Sequence, residues 1–141
     1  MNAKALMAKA MQAAASAKTL LNAGDADGAC NRAYYAMFDA ARAALLASAA
    51  SGEPEIARTH SGLISAFSLH LVKTGRVAME LGKALNKTEE LRLVADYKGD
   101  PIEKSDAAWA VQQAQVFVQT MRATFMPAPP QKPSGGTPKI F

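Results

Sequence analysis

The segment 31–46, NRAYYAMFDAARAALL, is the feature of the sequence that most constrains the fold. Placed on a helix, this segment and the residue before it carry a stripe of mostly small side chains at helical spacing. The stripe consists of Cys30, Ala33, Met37, Ala40, Ala41, Ala44 and Leu45. Small side chains let a neighbouring helix approach closely, and Tyr34 and Phe38 beside them add the large apolar area that alanine lacks. The segment therefore predicts a central helix inside a bundle.

A polar seam runs beside this stripe. It comprises Arg32, Tyr35, Asp39 and Arg42. Steps of three and four residues bring a guanidinium, a phenol and a carboxylate together on one helix face. Two interpretations of the seam are open. Its charges, like those of Arg92 and Asp96 later in the chain, either form satisfied ion pairs that fix the helix register or hold a ligand. The pairs would be Arg32 with Asp39 and Arg92 with Asp96, each worth only ~0.3–0.5 kcal/mol if exposed.

The composition limits the class of protein. With 141 residues there is room for one domain with its own core. Half of the residues are hydrophobic while only 6% are aromatic, and alanine dominates, which favours helices over sheets. No apolar run approaches the ~20 residues of a membrane span. Cys30 is the only cysteine, so no intrachain disulfide can form and a cytoplasmic location is expected.

The charge does not by itself indicate a nucleic-acid-binding protein. The formal net charge is +4, from 16 basic and 12 acidic residues. Lys132 and Lys139 lie near the carboxyl terminus, which leaves 16 − 2 = 14 basic residues against 12 acidic ones in residues 1–126. The predicted folded part is thus only mildly basic.

Periodicity predicts an all-α bundle of four to five helices in residues 1–126, followed by a disordered tail rich in proline and glycine at 127–141. The helical regions are 3 to about 22, about 26 to 49, about 57 or 60 to 73, 76 to 98, and a last one that ends near 125. Gly24 suits the left-handed position after the first helix, and Asp25 suits the N-cap of the second.

Two helix boundaries are predicted from capping signals. Residues 86–88 suggest an interruption of the fourth region, with Thr88 capping a second part and Glu89 in its first turn. Asp100 and Ser105 are alternative N-caps for the last helix.

Several site chemistries are excluded by residue spacing. A di-iron bundle needs Glu-x-x-His on two helices, whereas Ala57 and Phe67 stand three residues before His60 and His70. One cysteine and two scattered histidines make no zinc pattern. The nine glycines build no phosphate-binding loop. No metal and no cofactor is therefore predicted.

The remaining polar residues form the candidate site. They are Arg32, Tyr35, Asp39, Arg42, His60, Arg92, Asp96 and Tyr97. The apolar stripes of their helices would turn several of them toward one another. We predict that six of them share one concave region. These six are Arg32, Tyr35, His60, Arg92, Asp96 and Tyr97.

Three segments in this order resemble the HEPN domain. They are NRAYYAMF at 31–38, His-Ser-Gly at 60–62 and RLVADY at 92–97, and the resemblance covers roughly residues 5–125. It implies an up-and-down helical bundle, a homodimer, and pairing with a minimal nucleotidyltransferase in a toxin–antitoxin system. It also implies a nucleotide or RNA ligand, since many members are metal-independent ribonucleases.

The ribonucleases of that family carry an arginine followed by a histidine four to six residues on. The ribose 2′-hydroxyl attacks the adjacent phosphate, the histidine transfers a proton, and the arginine stabilises charge. Here Tyr97 stands five residues after Arg92, and tyrosine, with a pKa near 10, is a poor proton carrier at neutral pH. The favoured interpretation is therefore a nucleotide-, RNA- or partner-binding component of a toxin–antitoxin pair.

Two other interpretations stay open. One is a ribonuclease with a rearranged His60–Arg32–Arg92 site, and the other is a scaffold without a ligand. On the resemblance, His60 and Arg92 are the candidate catalytic residues. The candidate ligand-binding residues are Arg32, Tyr35, Asp96 and Tyr97. Apolar surface at Tyr34, Met79 and Trp109 is expected to pair two copies of the chain.

Overall fold

Five helices make up the computed structural model, which describes residues 2–48 and 59–127. Their bounds are α1 Ala3–Asn22, α2 Ala26–Ser48, α3 His60–Phe67, α4 Met79–Leu93 and α5 Lys104–Phe125. Helix α3 continues as a wider π-helical segment over Ser68–Val72, and α4 does so over Val94–Lys98. The predicted all-α bundle is confirmed. Beyond residue 127, the predicted tail lies outside the described residues.

Helix α2 is the centre of the bundle, as its sequence predicts. It contacts each of the other four helices. All seven residues of the stripe of small side chains are buried, and Tyr34 beside them is fully buried. Because alanine side chains are short, α1 and α5 can pack closely against α2. Larger side chains from the surrounding helices, among them Leu6, Phe67 and Phe117, complete the core.

The first helix boundaries follow their local capping signals. Gly24 adopts φ 90°, the left-handed conformation that only glycine reaches without strain. The Asp25 carboxylate accepts a hydrogen bond from the Gly28 backbone N–H at 2.8 Å, so Asp25 caps α2 as predicted. At the start of α3, the Thr59 hydroxyl accepts a hydrogen bond from the Gly62 N–H at 2.9 Å. This cap places His60 in the first turn of α3.

The predicted interruption of α4 at residues 86–88 is wrong. Helix α4 begins at Met79, later than the predicted residue 76, and then runs without a break through Thr88. The Thr88 hydroxyl is buried and donates to the Ala84 carbonyl oxygen at 2.7 Å instead of capping a new helix. Burial of Leu85 and Thr88 against the bundle outweighs the local preference of this segment for a break.

The predicted caps of α5 are also wrong. The helix begins at Lys104, and its N-cap residue Glu103 makes no side-chain capping bond. The segment before it is held by a distant contact, in which the Ile102 N–H donates to the Asp27 carboxylate at 2.8 Å. Ile102 itself is buried. This tertiary contact determines where α5 begins, and neither Asp100 nor Ser105 does.

The described helices are too short or too polar to span a membrane. Within residues 2–48 and 59–127, no helix is both long enough and apolar enough to cross a bilayer.

Candidate functional site

Tyr34 is the buried centre of the candidate site. Its hydroxyl lies 2.6 Å from Nδ1 of His60, which is a short hydrogen bond between α2 and α3. The same hydroxyl lies 3.5 Å from Oε2 of Glu89 on α4. In the Nδ1–H tautomer of His60, the imidazole donates to the phenol oxygen and the phenol donates its one hydrogen to Glu89, so both contacts are satisfied. The hydroxyl of Tyr34 therefore joins three helices at one point.

Four rings surround this hydrogen bond, and we call them the aromatic cluster. They belong to Tyr34, Tyr35, Phe38 and His60. The imidazole of His60 lies 4.7 Å from the Phe38 ring, 5.5 Å from Tyr34 and 5.8 Å from Tyr35, measured between centroids. Spacings in this range are typical of favourable ring contacts. Tyr35 and His60 are half-buried, so part of the cluster faces solvent.

The guanidinium of Arg92 packs on the aromatic cluster from α4. Its central carbon lies 4.6 Å from the Tyr34 ring centroid and 5.6 Å from that of Tyr35. Nη1 donates to the Asp96 carboxylate at 2.9 Å, which confirms the expected ion pair between these residues. Arg92 is only 6% exposed, and its buried Nε has no hydrogen-bond partner among the described residues.

The structure brings four of the six predicted site residues together. Tyr35, His60, Arg92 and Asp96 are linked by the ring contacts and the ion pair given above. Arg32 instead lines a groove with Gln12, Ser16 and Thr19 of α1. Tyr97 is 77% exposed on the π-helical turn after Arg92. In the described parts of the chain, no hydrogen bond, ion pair or ring contact joins Arg32 or Tyr97 to the other four.

Three residues of the observed site were not predicted. The sequence assigns Tyr34 and Phe38 to apolar packing and Glu89 to a helix start that does not exist. The sequence spacing could have identified Glu89 as a site residue. Glu89, Arg92 and Asp96 are separated by three and four residues, which places them on one face of α4. The hydrogen bond of Tyr34 had no such signal, since it depends on how α2 and α3 pack.

The surroundings keep His60 and Tyr34 uncharged at neutral pH. Burial lowers the pKa of His60 below 6.5, and the charge of Arg92 lowers it further, while Glu89 opposes the shift. Burial also raises the pKa of Tyr34 far above its ordinary value of 10, with the charge of Glu89 adding to the effect. In the Nδ1–H tautomer, Nε2 of neutral His60 is a free acceptor, so this nitrogen can take up a proton near pH 7.

We expect the stability of the protein to report this shift. Because the folded state binds the His60 proton more weakly than the unfolded chain, the free energy of unfolding should be greatest above about pH 7. It should decrease as the pH falls through 6.5 toward the lower pKa of the folded state. Urea unfolding between pH 5 and 8 measures this. His60→Gln should flatten the decrease and His70→Gln should keep it, whereas equal profiles for all three proteins would contradict the assignment.

Other chemical groups do not add to the site. Burial raises the pKa of the Cys30 thiol to about 11, so this cysteine is not a nucleophile at neutral pH. Over the described ranges, no three His, Cys, Asp or Glu side chains are grouped closely enough to hold a metal ion. A groove of about 570 Å³ lies between α1 and α5, lined by residues that include Met7, Met11 and Phe125. It contains no residue of the aromatic cluster.

The amino-acid sequence of this chain is similar to those of several known proteins. The chain is 37% identical over 116 residues to a UPF0332 protein of Gloeobacter violaceus, which covers 81% of this chain and 88% of the relative. It is 42% identical over 87 residues to a UPF0332 protein of Thermotoga maritima, covering 62% and 61%. It is 32% identical over 91 residues to a Methanocaldococcus jannaschii protein named "Putative toxin", covering 64% of both.

The last two alignments span less than two thirds of the relatives' length. The family model described as the HEPN domain matches residues 3–124, which includes α1 through most of α5. The aromatic cluster and Arg92 all lie within that match. This chain belongs to the HEPN domain family.

Proposed function

We propose that this protein is one component of a two-protein system of the toxin–antitoxin type and binds RNA at the aromatic cluster and Arg92. The observation that carries the proposal is the guanidinium of Arg92, which packs on the rings of Tyr34 and of half-buried Tyr35. Its Nη2, unlike the buried Nε, is accessible and has no hydrogen-bond partner in the described chain. RNA offers both complements of such a site, because its phosphates accept from guanidinium and its bases stack on aromatic side chains.

The energetics favour an anionic ligand with a ring system. Each hydrogen bond that the accessible part of the charged Arg92 guanidinium donates to a phosphate oxygen would contribute about 1.5–3 kcal/mol. Stacking of a base on an aromatic side chain contributes about 1–3 kcal/mol. The half-buried rings of Tyr35 and His60 supply such a surface. The hydrogen bond from Nη1 of Arg92 to the Asp96 carboxylate orients the guanidinium.

The assignment to a system of the toxin–antitoxin type rests on the relatives. Two proteins of Methanocaldococcus jannaschii that carry the name "Putative toxin" match this chain at 32% and 28% identity. The family resemblance adds a minimal nucleotidyltransferase as the partner. Co-expression of the chain with such a protein from an adjacent gene, followed by affinity purification and mass spectrometry, tests the pairing. Recovery of a one-to-one complex supports it, and separate elution of the two proteins overturns it.

Binding of single-stranded RNA is the direct test of the proposed ligand. We expect the fluorescence anisotropy of a labelled oligonucleotide to rise with protein concentration in a buffer that contains a metal chelator. The affinity should fall between 50 and 200 mM salt with a slope of about −0.7 for each phosphate contacted. Absence of binding at protein concentrations up to about 10⁻⁴ M, where even non-specific binders associate, would overturn the proposal.

RNA cleavage is the second candidate function, and one observation favours it. Neutral His60 and the guanidinium of Arg92 contact the same two tyrosine rings. In such a reaction the ribose 2′-oxygen bonds to phosphorus as His60 takes its proton. The bond from phosphorus to the 5′-oxygen breaks, the leaving oxygen takes up the proton that His60 removed, and a 2′,3′-cyclic phosphate results. Arg92 would stabilise charge on the phosphate oxygens.

We expect the chain to cleave little or no RNA, because it lacks the arginine–histidine spacing of the family's ribonucleases. Incubation of RNA with the chain and a chelator, followed by gel analysis, measures this. Growth of cells that express the chain should likewise continue. Robust cleavage that is lost in His60→Ala and kept in His70→Ala would select the second candidate and give His60 a catalytic role.

Assembly as a homodimer is part of the proposal. Of the three residues expected to supply apolar surface, Tyr34 is buried and Trp109 is half-buried with Lys87 Nζ 4.9 Å from its ring centroid. Met79 remains 60% exposed, and Leu69 is 55% exposed. Burying a large apolar side chain contributes about 1.5–3 kcal/mol, so pairing of such surfaces would favour association.

We expect residues 1–126 to suffice for dimer formation. The chain truncated after Met126 and the full-length chain should both sediment with a dimeric mass at micromolar concentration. Met79→Lys should shift the truncated chain toward the monomer, because it places charge in the apolar surface. A monomeric truncated chain beside a dimeric full-length chain would assign the assembly role to the tail.

A further inference from the structure

We infer that Arg42 is a second phosphate-binding position and that the ligand is an oligonucleotide with at least two phosphates. This inference rests on the proposed function, since it extends the site at Arg92. Arg42 lies on α2, one helical turn beyond Phe38, and its guanidinium carbon is 5.9 Å from the Phe38 ring centroid. Arg42 thus borders the aromatic cluster on a different ring from Arg92.

The hydrogen bonding of Arg42 matches that of Arg92. In the described ranges, Arg42 and Arg92 are the residues with a buried side-chain nitrogen or oxygen that lacks any hydrogen-bond partner, and in both the atom is Nε. Nη1 and Nη2 of Arg42 are not buried and have no hydrogen-bond partner among the described residues, so this guanidinium can still donate to a phosphate oxygen. Both arginines thus have N–H groups without a hydrogen-bond partner, and both border the aromatic cluster. This indicates that one ligand binds to both.

Arg42 is also not neutralised by a nearby carboxylate. Asp39 lies on the same helix and is half-buried, but no ion pair within 4 Å joins it to Arg42 in the described structure. Burial raises the pKa of Asp39, against the opposing charges of Lys9, Arg42 and Arg32. Arg42 therefore keeps its charge available for an anion, whereas Arg92 shares its charge with Asp96.

The two arginines approach the aromatic cluster from different helices and contact different rings. Arg92 packs on Tyr34 and Tyr35 from α4, whereas Arg42 packs on Phe38, which is three residues after Tyr35 on α2. Between them lie the rings of Phe38 and His60, 4.7 Å apart. The arrangement suits successive phosphates on Arg92 and Arg42, with a base against the exposed edge of His60 between them.

Two ligands distinguish this inference from the proposed function. A nucleoside 5′-monophosphate offers one phosphate, and a single-stranded tetranucleotide offers several. We expect the wild-type chain to bind the tetranucleotide more tightly. Arg42→Gln should weaken tetranucleotide binding by about tenfold and reduce its salt slope by about 0.7, as for one lost phosphate contact, while it leaves monophosphate binding unchanged. Arg42→Lys should keep the salt slope.

The controls make each outcome decisive. Arg76→Gln removes the same charge from an exposed arginine near Phe125, away from the cluster, and should keep tetranucleotide affinity. Thermal unfolding shows whether Arg42→Gln is folded. If Arg42→Gln does not fold, the salt slope of Arg42→Lys tests whether the positive charge at this position contacts a phosphate. If Arg42→Gln binds both ligands as the wild type does, or weakens both equally, the second position is overturned. If the wild type binds neither ligand, the proposed function itself fails.

Discussion

Replacing Arg92 with glutamine is expected to weaken RNA binding by about tenfold to a hundredfold. The variant removes a charged donor from a buried position, and a hydrogen bond to a charged group contributes about 1.5–3 kcal/mol. It also removes the cation–π contacts with Tyr34 and Tyr35. Arg92→Lys should recover only part of the affinity, because lysine keeps the charge but lacks the planar group that stacks on the rings.

The matched control for this prediction is Arg76→Gln. Arg76 also packs on an aromatic ring, with its guanidinium carbon 5.1 Å from the Phe125 centroid, but it is exposed and outside the site. Both variants lower the net charge by one, so a non-specific electrostatic effect would change both affinities equally. Equal affinities for the two variants, measured by anisotropy at one salt concentration, would show that Arg92 is not part of the binding site.

Removal of the Tyr34 side chain is expected to have the largest effect on stability. Truncation of a fully buried aromatic residue to alanine costs about 3–5 kcal/mol, which is a large part of the 5–15 kcal/mol that stabilise a typical domain. Tyr34→Phe keeps the ring and deletes only the hydroxyl. It should cost about 1–3 kcal/mol, because His60 and Glu89 then lose their common partner.

Urea unfolding of these variants measures both costs. Tyr35→Phe is the matched control, since among the described residues the Tyr35 hydroxyl makes no hydrogen bond and the side chain is only half-buried. We expect it to change the free energy of unfolding by less than Tyr34→Phe does. Equal effects of the two phenylalanine variants would contradict a structural role for the bond between Tyr34 and His60.

The features that could be predicted from sequence are those that depend on local periodicity and capping. The stripe of small side chains on α2 fixes its buried face, since each of these residues repeats the helical period. Gly24 and Asp25 mark the turn between α1 and α2 because each acts on backbone groups within a few residues. For the same reason the pair of Arg92 and Asp96, four residues apart, was recognisable.

The features that could not be predicted depend on packing between distant segments. Thr88 has the chemistry of a cap, yet burial against the bundle keeps it inside α4. The start of α5 depends on a hydrogen bond between residues 27 and 102. Spacing alone also did not separate Arg32, which lies toward α1, from the neighbouring Tyr35, which lies against His60. Residues three positions apart point about 60° apart around a helix, so only the positions of α1 and α3 decide which of the two joins the site.

The most direct test of the central claim is nuclear magnetic resonance of the isotopically labelled full-length chain during addition of a short single-stranded RNA. The account predicts that the largest chemical-shift changes occur in the His60 imidazole and in the Nε–H signal of Arg92. Both signals should saturate at the same RNA concentration, because they report one binding event. Shifts confined to the groove between α1 and α5 at Met7, Met11 and Phe125, or no shifts at all, would contradict it.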